Sequence, residues 1–136
     1  MMAAEKKVGI ISCSGEGCVE GTISRIATRL VLEKLRPKDT VTICLPLFLA
    51  GGKEERKFAR DYPTITVDGC NKMCAKIATE RYSGKPASSI IVTNFNDSQC
   101  PQLISRRKLN DEALNVTRKV ADRIVEEVDD VLRHWV

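Results

Sequence analysis

Short runs of apolar, β-branched residues alternate along the chain with longer segments whose apolar residues recur every three or four positions. The first pattern is typical of strands buried on both faces, and the second of amphipathic helices. The runs predict four strands, at Lys7–Ser12, Thr40–Leu45, Thr64–Asp68 and Ser89–Thr93. Because strands and helices alternate, the sequence predicts an α/β fold with a mostly parallel four-stranded sheet.

Helical spacing predicts a helix after each of the first three strands and a long one at the C-terminus. The first ends before Pro37, the second is short and charged over Lys53–Asp61, and the last begins at about Asp111. The helix after Asp68 is predicted to bury Met73, Cys74, Ile77, Ala78 and Tyr82. The C-terminal helix is predicted to bury Leu114, Val120, Ala121, Ile124, Val128, Val131, Leu132 and Trp135.

Right-handed crossovers between parallel strands give a three-layer arrangement, for which we predict the strand order 2-1-3-4. At 136 residues we expect a single domain, 1–136. In this order, strands one and three flank the point where the winding reverses, and α/β sheets place their sites there.

Composition excludes some classes of partner. The net charge is only +4, acidic and basic residues are interleaved, and one Trp, two Tyr and three Phe leave little for base stacking. A nucleic-acid partner is therefore disfavoured, and the run Arg106-Arg107-Lys108 is predicted to be solvated surface. The chain has no signal-peptide pattern and no apolar run that would span a membrane, so we expect a cytoplasmic protein without a membrane partner.

Six cysteines are the main candidates for chemistry. In a reducing compartment they are expected to bind metal, catalyse or fill the core rather than form disulfides. Cys13 follows the first strand, Cys44 lies near the end of the second and Cys70 follows the third, so their thiols are predicted to meet at the carboxyl edge of the sheet. Cys74, four residues after Cys70, is predicted to share a helix face with it. Four thiolates suit a closed, tetrahedral Zn²⁺ site.

Such a site carries a charge of about −2 and needs positive charge or hydrogen-bond donors nearby. Two helix N-termini, together with Lys72 and Lys76, are predicted to supply them. Asp68 would be repelled by the thiolates, so we expect its carboxylate to cap the following helix turn rather than bind the ion.

Six short motifs between about Val8 and Val92 strengthen the metal hypothesis in combination. They are Cys13-Ser14-Gly15, Gly21-Thr22, Cys44-Leu45, Ala50-Gly51, Val67-Asp68-Gly69-Cys70 and Cys74-Ala75. Together they resemble the DGC-domain proteins, which are named for the Asp-Gly-Cys motif. The resemblance implies a small α/β domain that binds zinc through four recurring cysteines. These correspond here to Cys13, Cys44, Cys70 and Cys74, and the resemblance implies no defined biological role.

Two further thiols depart from that pattern. Cys18 could replace Cys44 as a ligand, because a loop residue reaches a pocket more easily than a residue within a strand. Cys100, before Pro101, is predicted to lie in an exposed loop as a bystander.

Several other thiol functions stay open. The main alternative is a cysteine-dependent enzyme or a sulfur or redox carrier that uses a thiolate at a helix N-terminus, for which Cys13 and Cys70 are candidates. A redox pair lacks the Cys-x-x-Cys spacing, whereas an iron–sulfur cluster would fit four thiolates. A phosphatase-type loop is disfavoured, because no arginine stands six residues after Cys13, Cys18 or Cys70.

Two remaining motifs carry weaker signals. Gly15, Gly17 and Gly21 follow a strand, but their spacing departs from the nucleotide-binding fingerprint. A site for a small anion beside Arg25 is therefore a more modest interpretation than a nucleotide site. His134 is the only histidine and lies in the last helical turn. A catalytic zinc site, which normally uses histidine or carboxylate, is therefore disfavoured.

Overall fold

The computed structural model describes residues 6–15, 17–95 and 109–135. The predictions for Cys100 and for residues 106–108 lie outside these ranges. The sheet has four strands, β1 (Val8–Ser12), β2 (Thr40–Val41), β3 (Thr64–Asp68) and β4 (Ser88–Ile91). Each pairing is parallel and the order is β2-β1-β3-β4, so the predicted α/β fold and strand order are confirmed.

Helices and helical turns connect the strands. They are α1 (Val19–Leu30), a π-helical segment (Val31–Leu35), α2 (Leu45–Leu49), α3 (Lys53–Arg56), α4 (Phe58–Asp61), α5 (Cys74–Tyr82), a 3₁₀ turn (Val92–Phe95) and α6 (Asp111–Arg133). The side chain of Asn110 caps α6 by accepting a hydrogen bond from the Ala113 N–H at 2.8 Å. None of the helices in the described part of the chain is both long and apolar enough to cross a membrane.

The sheet is covered on both faces, as a three-layer fold requires. On one face, Ile10 and Val67 pack with buried residues of α1 and α6 into the larger core cluster. On the other, Ile11 packs with Phe58 of α4 and Ala75 of α5. The central strands β1 and β3 therefore bury residues on both faces, which explains their continuous apolar sequence.

The second strand is shorter than predicted. Only Thr40 and Val41 pair with β1, and the chain then leaves the sheet. Pro46 lies in the first turn of α2, where a missing N–H costs no helical hydrogen bond. The apolar residues Ile43 and Leu45, which suggested a longer strand, pack instead against the smaller core cluster.

Helix boundaries and faces also differ from prediction. The segment Lys53–Asp61 is divided into α3 and α4 at Lys57. The helix after β3 begins at Cys74 and buries Ala75 and Thr79, whereas the predicted Ile77 and Tyr82 are 44% and 38% exposed. The short helix has apolar residues on several sides, so periodicity alone could not identify its inner face.

The predicted start of α6 at Asp111 is confirmed, and most of its predicted stripe packs into the larger core cluster. Leu114, however, is 49% exposed. The buried residues at that end of the helix are Ala113, Val116 and Thr117. Ala113 is small and Thr117 is polar, so a prediction based on large apolar side chains does not include them.

Candidate functional site

Cys13 stands where β1 ends and is held against the end of β3. Its N–H donates to the carbonyl of Val67 at 2.9 Å, which extends the strand pairing by one residue. Its Sγ accepts a hydrogen bond from the Gly69 N–H at 3.3 Å and lies 3.5 Å from the Ser24 hydroxyl. The half-buried thiol is thus contacted by polar groups from β3 and α1.

Ser24 is a site residue that the sequence analysis missed. It is fully buried, and its hydroxyl donates to the Gly21 carbonyl at 2.6 Å while accepting from the Ser14 N–H at 3.3 Å. The sequence does contain one indication of this role, because Ser24 is a polar residue within the apolar stripe of α1. Ser24 ties the loop after Cys13 to the first turn of the helix.

Two glycines allow the segments around Cys13 to approach each other. A Cβ on Gly69 would lie 2.6 Å from the backbone N of Gly21, and a Cβ on Gly21 would overlap the carbonyl of Gly15. Real side chains do not tolerate such contacts, so both positions require glycine. Gly21, in the first turn of α1, therefore has a packing role that accounts for this glycine without a bound nucleotide.

Cys18, and not Cys13, occupies the N-cap position of α1. Its Sγ accepts a hydrogen bond from the Gly21 N–H at 3.4 Å. Burial raises the pKa of the Cys18 thiol, and this outweighs the lowering by that hydrogen bond. The charge of Glu20 raises the pKa further, as would Cys70 and Cys13 in their ionised forms, so these thiols lie near enough to influence Cys18 electrostatically. We call Cys13, Cys18 and Cys70 the thiol cluster.

Asp68 has the capping role expected from the sequence. It is only 2% exposed, and its Oδ1 and Oδ2 accept hydrogen bonds from the Ala75 N–H at 2.6 Å and the Lys76 N–H at 3.1 Å. Burial raises the pKa of Asp68, although these two donors and the Lys76 charge act in the opposite direction. Both carboxylate oxygens are engaged by the first turn of α5, so the prediction of a cap is confirmed.

The predicted helix face shared by Cys70 and Cys74 is wrong. Cys70 lies in the turn before α5, and Cys74 is the first residue of the helix. Between them, Met73 adopts the left-handed region with φ 53°, which breaks helical geometry. The Asp68 cap fixes where α5 starts, so the sequence spacing of four does not translate into helical neighbours.

Cys44 and Cys74 lie outside the thiol cluster. Both are exposed, Cys44 at the N-cap of α2 and Cys74 at the start of α5. Cys44 lines a cavity of about 660 Å³ whose wall also includes Cys13. Two predicted ligands thus border the same cavity from different segments.

The described cysteine thiols are suitable ligands for zinc, but they are not arranged as a zinc site in this structure. Thiols are preferred zinc ligands, and backbone N–H groups of Gly69 and Gly21 already donate to two of them. Among the described residues, no three His, Cys, Asp or Glu side chains lie close enough together to hold a metal ion. A four-thiolate site would therefore need side chains to move from the positions seen here.

Comparison with known proteins gives one finding about the family. No curated protein and no solved structure matches the chain. The profile of the DGC domain matches residues 9–128, which include most of β1, the Asp68-Gly69-Cys70 turn and most of α6. The chain belongs to the DGC domain family.

Proposed function

We propose that this protein binds one zinc ion through cysteine thiolates at the carboxyl edge of its sheet, with Cys13 and Cys70 as central ligands. One observation carries the proposal: the parallel pairing of β1 with β3 brings Cys13 against the Asp68-Gly69-Cys70 turn, 56 residues away, and the Gly69 N–H donates to the Cys13 sulfur. The residues that follow these two neighbouring strands thus lie together at the edge where α/β folds place their sites.

Zinc is the metal that this chemistry favours. Thiolates bind Zn²⁺ in closed tetrahedral sites, where the ion contributes to stability and activates no water. The N–H donors of Gly69 and Gly21 and the N-terminus of α1 would offset part of the negative charge. Burial raises the pKa of the Cys18 thiol, whereas a cation bound nearby would favour its ionised form.

The four-cysteine set of Cys13, Cys44, Cys70 and Cys74 is the ligand set we propose. Cys44 supports it by bordering the same cavity as Cys13, and Cys74 by standing only four residues after Cys70, at the start of α5. Both are exposed, so their side chains can change rotamer without disturbing the core. Cys18 is the alternative to Cys44, because it already lies within the electrostatic reach of Cys13 and Cys70.

The test is metal content per chain, measured on untagged, anaerobically purified protein and on single Cys→Ser variants of all six cysteines. We expect about one zinc per chain, in line with a single four-thiolate site, and its loss in Cys13→Ser and Cys70→Ser. Serine at Cys44 or Cys74 should weaken zinc retention during dialysis against a chelator, whereas Cys18→Ser and Cys100→Ser should retain it.

Other outcomes separate the alternatives. If Cys18→Ser loses zinc and Cys44→Ser keeps it, the ligand set changes but zinc binding stands. A visible absorption band together with bound iron would show that the cysteines hold an iron–sulfur cluster instead of zinc. Absence of metal, with one cysteine alkylating far faster than the others near neutral pH, would contradict the proposal and favour a cysteine-dependent enzyme or sulfur carrier.

A further inference from the structure

We propose that the cavity between α1 and the Ile43–Pro46 segment is a binding site for a small organic anion with an apolar body. Its volume of about 660 Å³ lies within the range of small-molecule sites, roughly 300–1,000 Å³. It opens at the carboxyl ends of β1 and β2, where parallel sheets commonly bind ligands. Cys13 and Cys44 also line this cavity, so it adjoins the proposed zinc site, but the recognition groups described below belong to α1 and are not proposed zinc ligands.

One face of α1 forms the polar wall of this cavity. Arg25, Thr28 and Arg29 line it, and their spacing of three and four residues places them on a single helix face, which Leu32 of the π-helical segment extends. The floor is formed by Ser12, Cys13 and Ser14 at the end of β1. The opposite wall is largely apolar and consists of Thr42, Ile43, Cys44, Leu45, Pro46 and Leu49.

The hydroxyl of Thr28 is the observation that points to a ligand. Thr28 is 3% exposed, and its Oγ1 has no hydrogen-bond partner among the described residues. A helical threonine ordinarily donates to the carbonyl four residues earlier, as Thr117 does to Ala113 at 2.7 Å. A buried hydroxyl without a partner costs free energy. The hydroxyl oxygen is itself covered in this structure, so a ligand's acceptor atom would remove that cost only after the Thr28 side chain turns towards the cavity.

The charged residues of the cavity wall favour a negatively charged ligand. Two arginines line the cavity, and no aspartate or glutamate of the described chain does. Arg29 pairs with Glu33 at 3.0 Å, but both side chains are more than half exposed, so this ion pair is weak and open to competition. Guanidinium groups bind carboxylates and phosphates with directed hydrogen bonds. The apolar wall opposite would cover the ligand's uncharged part.

The test uses 2-naphthoate as the anion and 2-naphthamide as an uncharged probe of the same shape. Each is titrated into ¹⁵N-labelled protein, and binding is followed by amide chemical shifts. We expect naphthoate to shift the amides of residues 25–32 and 42–46, and to bind about tenfold more tightly than the amide, the order of a charge-assisted hydrogen bond.

Three variants identify the recognition groups. Arg25→Met and Arg29→Met should each weaken naphthoate binding by about tenfold and leave naphthamide binding nearly unchanged. Thr28→Val replaces the hydroxyl by a methyl group of similar size, so it should fold and bind naphthoate more weakly. Arg118→Met removes the same charge from an exposed position on α6 that does not line the cavity, and should have no effect.

Several results would overturn the inference. These are equal binding of the two probes, equal losses in Arg25→Met and Arg118→Met, chemical-shift changes confined to other residues, or no binding of either probe. Zinc content is measured on the same samples. Anion binding that persists in metal-free Cys70→Ser protein, or that is lost in Arg25→Met with zinc retained, separates this inference from the proposed function.

Discussion

At the residue scale, the Asp68-Gly69-Cys70 sequence has a separate physical role for each member. Asp68 sets the start of α5 by accepting two backbone hydrogen bonds. Gly69 donates to Cys13 and lets the end of β3 approach α1. Cys70 then stands within the electrostatic reach of Cys18. The motif is thus a packing device as well as a source of a thiol.

Replacing Gly69 by alanine tests that packing role. The new Cβ would meet the backbone of α1 at 2.6 Å, so the helix or the turn must move. We expect Gly69→Ala to lower the free energy of unfolding by about 1–3 kcal/mol, as overpacked positions do. Urea denaturation followed by circular dichroism measures it. Gly17→Ala is the matched control, since a Cβ there meets nothing within 4 Å and should change stability by less than about 1 kcal/mol.

At the element scale, α6 is the largest single contributor to the core on its side of the sheet. Its buried residues pack against α1 and against the inner faces of β1 and β3. One ion pair adds to this packing, since Arg36, which follows the π-helical segment, contacts Asp129 of α6 through two hydrogen bonds of 2.9 and 2.8 Å. Apolar burial and one bidentate ion pair therefore fix α6 on the sheet.

Two truncations on α6 distinguish the buried stripe from the exposed face. Ile124 is fully buried, so Ile124→Ala should lower the free energy of unfolding by about 2–5 kcal/mol. Leu114 is 49% exposed, so Leu114→Ala should lower the free energy of unfolding by less than about 0.5 kcal/mol. Denaturant midpoints give both values. Similar losses in the two variants would show that Leu114 is buried after all.

The Arg36–Asp129 pair gives a pH prediction. The Arg36 guanidinium lowers the pKa of Asp129 below its ordinary value of 3.8. A lowered folded-state pKa contributes stability that is present above the ordinary pKa and is lost as pH falls through the folded-state pKa. Both groups are more than a third exposed, so the contribution is under about 1 kcal/mol.

Asp129→Asn should therefore lower the thermal midpoint at pH 6 and have a smaller effect at pH 2.5. The measurement is a set of thermal unfolding curves between those pH values. The exposed Asp122→Asn on the same helix serves as the control. An Asp129→Asn effect that grows as the pH falls would contradict the assignment.

At the scale of the whole molecule, the fold has two apolar clusters that do not depend on a metal. The larger lies between the sheet, α1 and α6, and among the cysteines that the structure describes only Cys13 packs at the edge of the smaller one. We therefore expect the metal-free chain to stay folded, unlike small zinc-dependent domains that unfold without the ion.

Zinc should nevertheless stabilise the protein, if the proposed function is correct. A ligand that binds only the folded state adds about 2.7 kcal/mol at 100 times its Kd. We expect zinc to raise the thermal midpoint of the native chain and to leave that of Cys13→Ser unchanged. Differential scanning calorimetry with and without a chelator measures this. An equal rise in both proteins would place the zinc elsewhere.

The sequence by itself determined the features that contiguous residues encode. Alternating apolar runs and helical periodicity predicted the strands and the parallel α/β arrangement, and the predicted order 2-1-3-4 is the one observed. The position of Cys13 after β1 and the capping role of Asp68 were also predicted, because both depend on residues within a few positions in the chain.

Only the tertiary structure decided which distant groups are neighbours. It ended β2 at Val41, because pairing with β1 stops there, and it placed Cys44 at a helix cap. It put Cys18 in the electrostatic environment of Cys13 and Cys70. The cavity beside Thr28 likewise requires α1 and the segment after β2 to face each other. Such contacts depend on packing between remote segments, and local periodicity carries no information about them.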